Sequence, residues 1–188
     1  MAQKDVEIEL KFPLNNSSEV IKFLSKNAEL KARDVLQKDI YFIPAHRDFL
    51  NVKYPFEWLR LRESPKGASF NYKHFHPENV EKTDYCDEYE TNIETPESVK
   101  KILKSLDFKE AVVVEKKRSA WVFEKTEISI DDVKELGFFI EIEALEHLSD
   151  AAFTKKYLYD VLKKIKADVG KEDLRGYPFR ILEKNHHA

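Results

Sequence analysis

Val6-Glu7-Ile8-Glu9-Leu10-Lys11-Phe12-Pro13 alternates strictly. In an extended chain Val6, Ile8, Leu10 and Phe12 fall on one face and Glu7, Glu9 and Lys11 on the other. The apolar face needs a covering layer. The ionic face needs water or compensating ions. The same division recurs along the chain. Arg60 and Arg62 share a face in Trp58-Leu59-Arg60-Leu61-Arg62, Lys73 follows in Phe70-Asn71-Tyr72-Lys73, and Glu88 and Glu90 share a face. Lys116 and Arg118 do so too, as do Glu141 and Glu143 in Phe139-Ile140-Glu141-Ile142-Glu143.

The remaining pattern fills in the elements between these strands. Strands are predicted over 6–13, 37–43, 57–63, 68–75, 84–94, 112–125, 126–133 and 138–145. Pro65-Lys66-Gly67 signals a hairpin and Leu136-Gly137 a turn. Asn16 with Glu19 reads as a capping box opening a helix over 17–28. Thr95-Pro96-Glu97 opens a second helix, with Thr95 as N-cap. A third runs from near Ser149 to about Asp168, with Gly170 as its stop. Strands without parallel-crossover signals favour an antiparallel α+β fold. With helices over the apolar faces, the ionic faces turn inward, which favours a barrel with a polar tunnel over an open sheet. Glu7-Ile8-Glu9 and Glu88-Tyr89-Glu90 each precede a helix, a weak repeat that suggests two related halves.

Composition narrows the function. The chain has 188 residues, 42% of them hydrophobic and 36% charged, and a net charge of -3. It reads as one domain over 1–188, structured from about 4 to 183, with 184–188 as a tail. Near-neutral charge argues against a nucleic-acid or membrane binder. A single cysteine, Cys86, excludes an intrachain disulfide and fits a reducing compartment. With no signal peptide or long apolar run in view, the expected location is cytoplasmic.

Same-face residues two apart on a strand lie roughly 6.5 Å from each other. Paired carboxylates at that spacing can share a hard divalent ion such as Mg²⁺ or Mn²⁺. Paired cations suit phosphate oxygens, Arg as a planar fork and Lys as a point charge. A triphosphate needs both. Any one Glu-x-Glu-x-Lys strand is ordinarily a solvated face with cross-strand ion pairs. Their repetition in one small protein is what points to a site.

These residues resemble the CYTH superfamily, whose members include class IV (CyaB-type) adenylyl cyclases, thiamine triphosphatase and inorganic triphosphatases. Glu7-Ile8-Glu9-Leu10-Lys11 matches its Glu-x-Glu-x-Lys signature. The Arg60/Arg62, Lys73, Glu88/Glu90 and Lys116/Arg118 strands follow in the family's order. Asp131, Leu136-Gly137 and Glu141-Ile142-Glu143 resemble its ending. Arg175-Gly176-Tyr177 resembles a C-terminal Arg-Ser-Tyr element of CyaB-type members, with Gly for Ser.

The resemblance implies a closed eight-stranded antiparallel β-barrel, the triphosphate tunnel, with flanking helices. It implies that Lys11, Arg60, Arg62, Lys73, Lys116 and Arg118 bind the triphosphate. Glu7, Glu9, Asp131, Glu141 and Glu143 would ligate Mg²⁺ or Mn²⁺ in some combination, with Glu88, Glu90 and Arg175 as further candidates. The substrate would be ATP, inorganic triphosphate or thiamine triphosphate. The expected activity is a triphosphatase. The alternatives are a class IV adenylyl cyclase and a non-catalytic polyphosphate or nucleotide binder. Similar proteins include homodimers.

Other features read as structural. His74-x-His76 puts two imidazoles on one strand face, a zinc pair or more simply a surface hairpin. Trp58, Trp121, Phe70 and Tyr72 could stack on a base, but strand aromatics are more often packing. Cys86 lies beside Asp84 and Asp87, neighbours that disfavour a thiolate. With four glycines, no glycine-rich phosphate loop is available.

Overall fold

A computed structural model describes residues 8–83, 85–146 and 150–186. Its elements run β1 (Glu9–Pro13), α1 (Ser17–Asn27), β2 (Glu29–Ile43), β3 (Glu57–Ser64), β4 (Gly67–His76) and β5 (Tyr85–Ile93). They continue with α2 (Pro96–Ser105), β6 (Lys109–Phe123), β7 (Thr126–Val133), β8 (Gly137–Ala144), α3 (Ala151–Lys164) and α4 (Gly176–His186). The expected α+β class holds. The eight strands form one sheet in the order β1-β8-β7-β6-β2-β3-β4-β5. Among the described residues this order has two edges, β1 and β5, so the closed barrel expected from the resemblance is corrected to an open strand order.

The chain divides into two compact units, one of residues 1–35 and 116–173, the other of residues 36–115 and 174–188. The 15-residue strands β2 and β6 contribute to both.

In the first unit the apolar residues of the alternating strands make the core. Leu10, Phe12, Ile128, Ile130, Ile140 and Ile142 are buried against Val20 and Leu24 of α1 and Leu158, Val161 and Leu162 of α3. In the second unit Ile40, Phe42 and Leu61 pack on Leu103 of α2, with Leu59, Phe70 and Val99 around them. Each sheet half is thus apolar towards its helices and ionic on its other face. No helix among the described residues is long and apolar enough to cross a membrane.

The β3–β4 hairpin forms, with Ser64 paired to Gly67 and Gly67 at φ +127°, a conformation open to glycine. Asp150 caps α3, accepting from Phe153 N at 2.8 Å. Asn16 and Thr95 stand at their N-caps without a side-chain cap bond. Asn16 instead donates to Lys166 O (2.9 Å) and accepts from Asp168 N (2.8 Å). Gly170 does not end α3. Lys166 at φ +56° does, with Ala167 N–H bonded to Leu162 O and Lys166 N–H to Lys163 O, a Schellman closure. Gly170 lies against Pro13, where a Cβ would sit 3.4 Å from that ring.

Two elements were not expected. Residues 29–36 extend β2, and α4 runs through His186 into the stretch read as a tail. The start of the first strand at Val6, the start of the third helix at Ser149, and residues 187 and 188 lie outside the described residues.

Candidate functional site

In the first unit, strand register decides which charged residues meet. Glu9 pairs with Glu143 and Lys11 with Glu141, Glu141 pairs with Ser129, and Asp131 pairs with Arg118. All lie on the face opposite the core. Lys11 Nζ is 2.9 Å from Glu141 and 3.9 Å from Glu9. Arg118 donates both arms of its fork to Asp131, from Nε and Nη2, each at 2.7 Å, and Nη2 also reaches Glu141 at 3.2 Å. Lys116 Nζ donates to Asp131 at 2.8 Å. The Asp131 side chain is 0% exposed and that of Lys116 3%, while Arg118 keeps 18%, so the aspartate lies beneath the cations and Arg118 faces outward most.

Burial opposes ionisation throughout the cluster, and the opposite charges overcome it. Burial alone would raise the Asp131 carboxyl, but Arg118 and Lys116 hold it down at about 2. Burial would likewise raise Glu141, yet Lys11, Arg118 and Lys116 keep it well below the usual carboxylate range. Burial works against the Lys11 ammonium, and Glu141 and Glu9 nonetheless raise its pKa above the ordinary lysine value. All three are therefore charged at neutral pH.

Beside this network lies a row of carboxylates. Glu143 faces Glu9 on one neighbouring strand and Glu127 on the other. Like charges directly opposite one another destabilise a sheet unless something bridges them. Carboxylate oxygens are the ligand type a hard divalent ion takes, although the donors of this row do not converge within 4.8 Å as they stand. Glu127 was not among the expected site residues, although its spacing from Ser129 and Asp131 puts all three on one face. Glu7 lies outside the described residues.

The second unit repeats the scheme. Register sets Asp39 against Arg62, Arg60 against Asn71, and Lys73 against Glu88. Arg62 donates a two-armed fork to Asp39, from Nε and Nη2, each at 2.6 Å. The Asp39 side chain is 2% exposed. Lys73 Nζ is 2.9 Å from Glu88, and Asn71 Nδ2 donates to both Glu88 and Glu90. Burial would raise the Glu88 carboxyl, but Lys73 and Asn71 lower it. Arg60 Nη2 is 3.7 Å from Glu90, and its buried Nε has no hydrogen-bond acceptor among the described residues. A buried unsatisfied donor calls for an explanation. Asp39 was also missed: it is a lone acid in Gln37-Lys38-Asp39-Ile40, and only register reveals its partner.

The features read as structural mostly stay so. Trp121 and Phe70 lie in the two cores. Trp58 is buried edge-on to Tyr41, with ring centroids 5.5 Å apart. Tyr72 stacks on Tyr89 and donates to Glu57. Burial, with Glu57 adding, pushes the Tyr72 phenol up to about 12. Burial raises the Cys86 thiol to about 11, ahead of the acidic neighbours Glu88 and Asp87, so it is no thiolate at neutral pH. Asp84 lies outside the described residues. Arg175 is clasped by Phe179 (4.5 Å to the ring) and Tyr54 (6.0 Å) and donates to Glu183 at 3.1 Å.

The CYTH domain family matches residues 5–177, nearly the whole chain. The chain belongs to the CYTH family. A Methanocaldococcus jannaschii protein named "putative adenylate cyclase MJ0240" is 32% identical over 170 residues, covering 90% of this chain and 93% of that one. The PH1819 protein of Pyrococcus horikoshii superposes with a TM-score of 0.75 at 30% identity, covering 95% of this chain and 99% of the other. A Hippeastrum protein described as a "putative adenylyl cyclase" with a dominant triphosphatase activity shares the fold, with a TM-score of 0.64 at 18% identity, covering 95% of this chain and 96% of the other. The strand motifs that carried the resemblance therefore identified the family.

Proposed function

We propose that this CYTH protein is a divalent-metal-dependent triphosphatase that hydrolyses the terminal phosphoanhydride bond of inorganic or organic triphosphate. The observation that carries this reading is in the first unit: Lys11, Lys116 and Arg118, held by Asp131 and Glu141, stand beside the Glu9–Glu143–Glu127 row. A pure anion binder gains nothing from that many carboxylates on its binding face.

Lys11, Lys116 and Arg118 would bind phosphate oxygens and stabilise the charge that builds on them. Glu141 and Asp131 would hold those cations in place. Glu9 and Glu143, with Glu127 beside them, are the first candidates to hold Mg²⁺ or Mn²⁺. Asp131 and Glu141 remain within the proposed set, although both accept from cations in this structure. A divalent cation held there supplies Lewis-acid stabilisation of the phosphate charge. Arg60, Arg62 and Lys73 of the second unit offer the same anion chemistry, and the acceptor-less Arg60 Nε supports that role. Water attacks the terminal phosphorus, the bridging P–O bond breaks, and orthophosphate leaves.

The second reading is a class IV adenylyl cyclase, in which the ribose 3′-oxygen attacks the α-phosphorus and pyrophosphate leaves. It is favoured by the name of the 32% identical relative and by Arg175-Gly176-Tyr177. Incubation with ATP, inorganic triphosphate and thiamine triphosphate, each with Mg²⁺ or Mn²⁺, separates the two. Orthophosphate as the main product supports hydrolysis. Cyclic AMP with pyrophosphate replaces it with cyclisation. No product from any substrate rejects both in favour of a binding module.

A further inference from the structure

The far end of β4 carries a second donor set, on the opposite side of the sheet from Arg60, Arg62 and Lys73. In Tyr72-Lys73-His74-Phe75-His76 the imidazoles alternate with Lys73 and so point away from it. Register puts Asp87 of β5 directly opposite His74, and so on the imidazole face. His74 Nε2 lies 3.0 Å from Glu78 Oε1, and His76 Nε2 lies 3.0 Å from Asp87 Oδ2. The two rings are 4.2 Å apart. One donor atom each from His74, His76 and Glu78 lies within 4.8 Å of the others.

An ordinary hydrogen bond explains either His–carboxylate couple alone. It does not explain why two such couples stand ring to ring. A tetrahedral zinc with bonds of 2.0–2.2 Å holds its ligand atoms roughly 3.4 Å apart, so the His74, His76 and Glu78 donors close onto one ion with small side-chain rotations, and Asp87, now 3.0 Å from His76 Nε2, is the neighbouring carboxylate that would complete the set. His74 is already fixed in place between Phe56 (5.7 Å) and Tyr72 (6.4 Å). The imidazoles are about three-quarters buried while Glu78 and Asp87 are half exposed, so an ion can enter from solvent.

We propose that His74, His76, Glu78 and Asp87 form a transition-metal site of the zinc class that ties β4 to β5. Two imidazole nitrogens select zinc, cobalt or nickel over magnesium, unlike the oxygen-only row of the first unit. With Asp87 added to the three converging donors, four protein ligands would make it a closed, structural site. Cys86 is not a ligand, because it pairs with Phe75 and so lies on the other face.

The test is a Co²⁺ titration of the metal-free full chain in excess Mg²⁺, with His186 and His187 replaced by alanine in every sample. A single Co²⁺ should bind with the visible absorption of four-coordinate cobalt, and Zn²⁺ should displace it. H76A, or the bulkier H76Q if H76A folds poorly, should weaken binding by at least about 100-fold, and D87N by about 10-fold. E9Q should bind Co²⁺ as the parent does. No binding, suppression by Mg²⁺, a thiolate charge-transfer band, or unchanged affinity in both His76 variants would each overturn the site.

Discussion

The two units solve one problem with different balances of charge. Each fixes an arginine fork on a buried aspartate: Arg118 on Asp131 in the first, Arg62 on Asp39 in the second. In the first unit Lys116 shares that aspartate and both cations are enclosed or nearly so. Its face sets Glu9, Glu127, Asp131, Glu141 and Glu143 against Lys11, Lys116 and Arg118. In the second unit Asp39, Glu88 and Glu90 stand against Arg60, Arg62 and Lys73, an even match. A surplus of carboxylate suits a metal, and an even match with a spare arginine donor suits an anion. On the proposed reading both units would offer cations to phosphate, and the first would add carboxylates for a metal.

The largest expected effect breaks the first triad. Asp131→Asn strands buried Lys116 and frees the Arg118 fork, and should cost about 3–5 kcal/mol. Asp39→Asn, which strands the partly exposed Arg62, should cost about 1–3 kcal/mol. Urea denaturation compares them, and equal losses would erase the distinction between the units. The same carboxylate shapes acid stability. Its folded pKa of about 2 lies below the ordinary aspartate value of 3.8. Its contribution is therefore complete above about pH 4 and fades as pH falls towards 2. Without added metal, the Asp131→Asn stability curve should be flatter than wild type across that window.

The next effect concerns turnover. Glu9 is 45% exposed, so Glu9→Gln should leave the fold intact and lower metal-supported turnover by about 100-fold, roughly 2.7 kcal/mol. Glu90→Gln, in the unit with matched charges, should change turnover by less than about 5-fold. If both variants fail alike in a steady-state assay, the carboxylates of the two units share one role. Arg60→Ala should act on binding, below the Glu9→Gln effect in size. It should raise KM about 10-fold, roughly 1.4 kcal/mol, with kcat nearly kept. An unchanged KM would remove Arg60 from substrate binding.

Much of this was legible because alternation is local. Leu59-Arg60-Leu61-Arg62 and Ile140-Glu141-Ile142-Glu143 announce their faces without any tertiary knowledge. Asp39 and Glu127 did not, because neither belongs to a same-sign pair and each gains meaning only from a partner strand. Residues 29–36 are mostly exposed, so no apolar rhythm marks them as strand. α4 was not expected: Gly176 and Pro178 at its start are poor helix formers in general, although a proline in a first turn loses no helical hydrogen bond. The Asn16 and Gly170 readings failed for one reason: both residues bond across the fold, to 166–168 and to Pro13, not within their own helix.

The paired forks on Asp39 and Asp131 have a kinetic and entropic consequence. A guanidinium on a free side chain must surrender rotamer freedom when it grips a ligand, at about 0.5–1.5 kcal/mol for each such side chain. Arg62 and Arg118 surrendered theirs when the chain folded. Within each unit an arriving anion would meet a guanidinium already held in place, and its shape would matter as much as its charge.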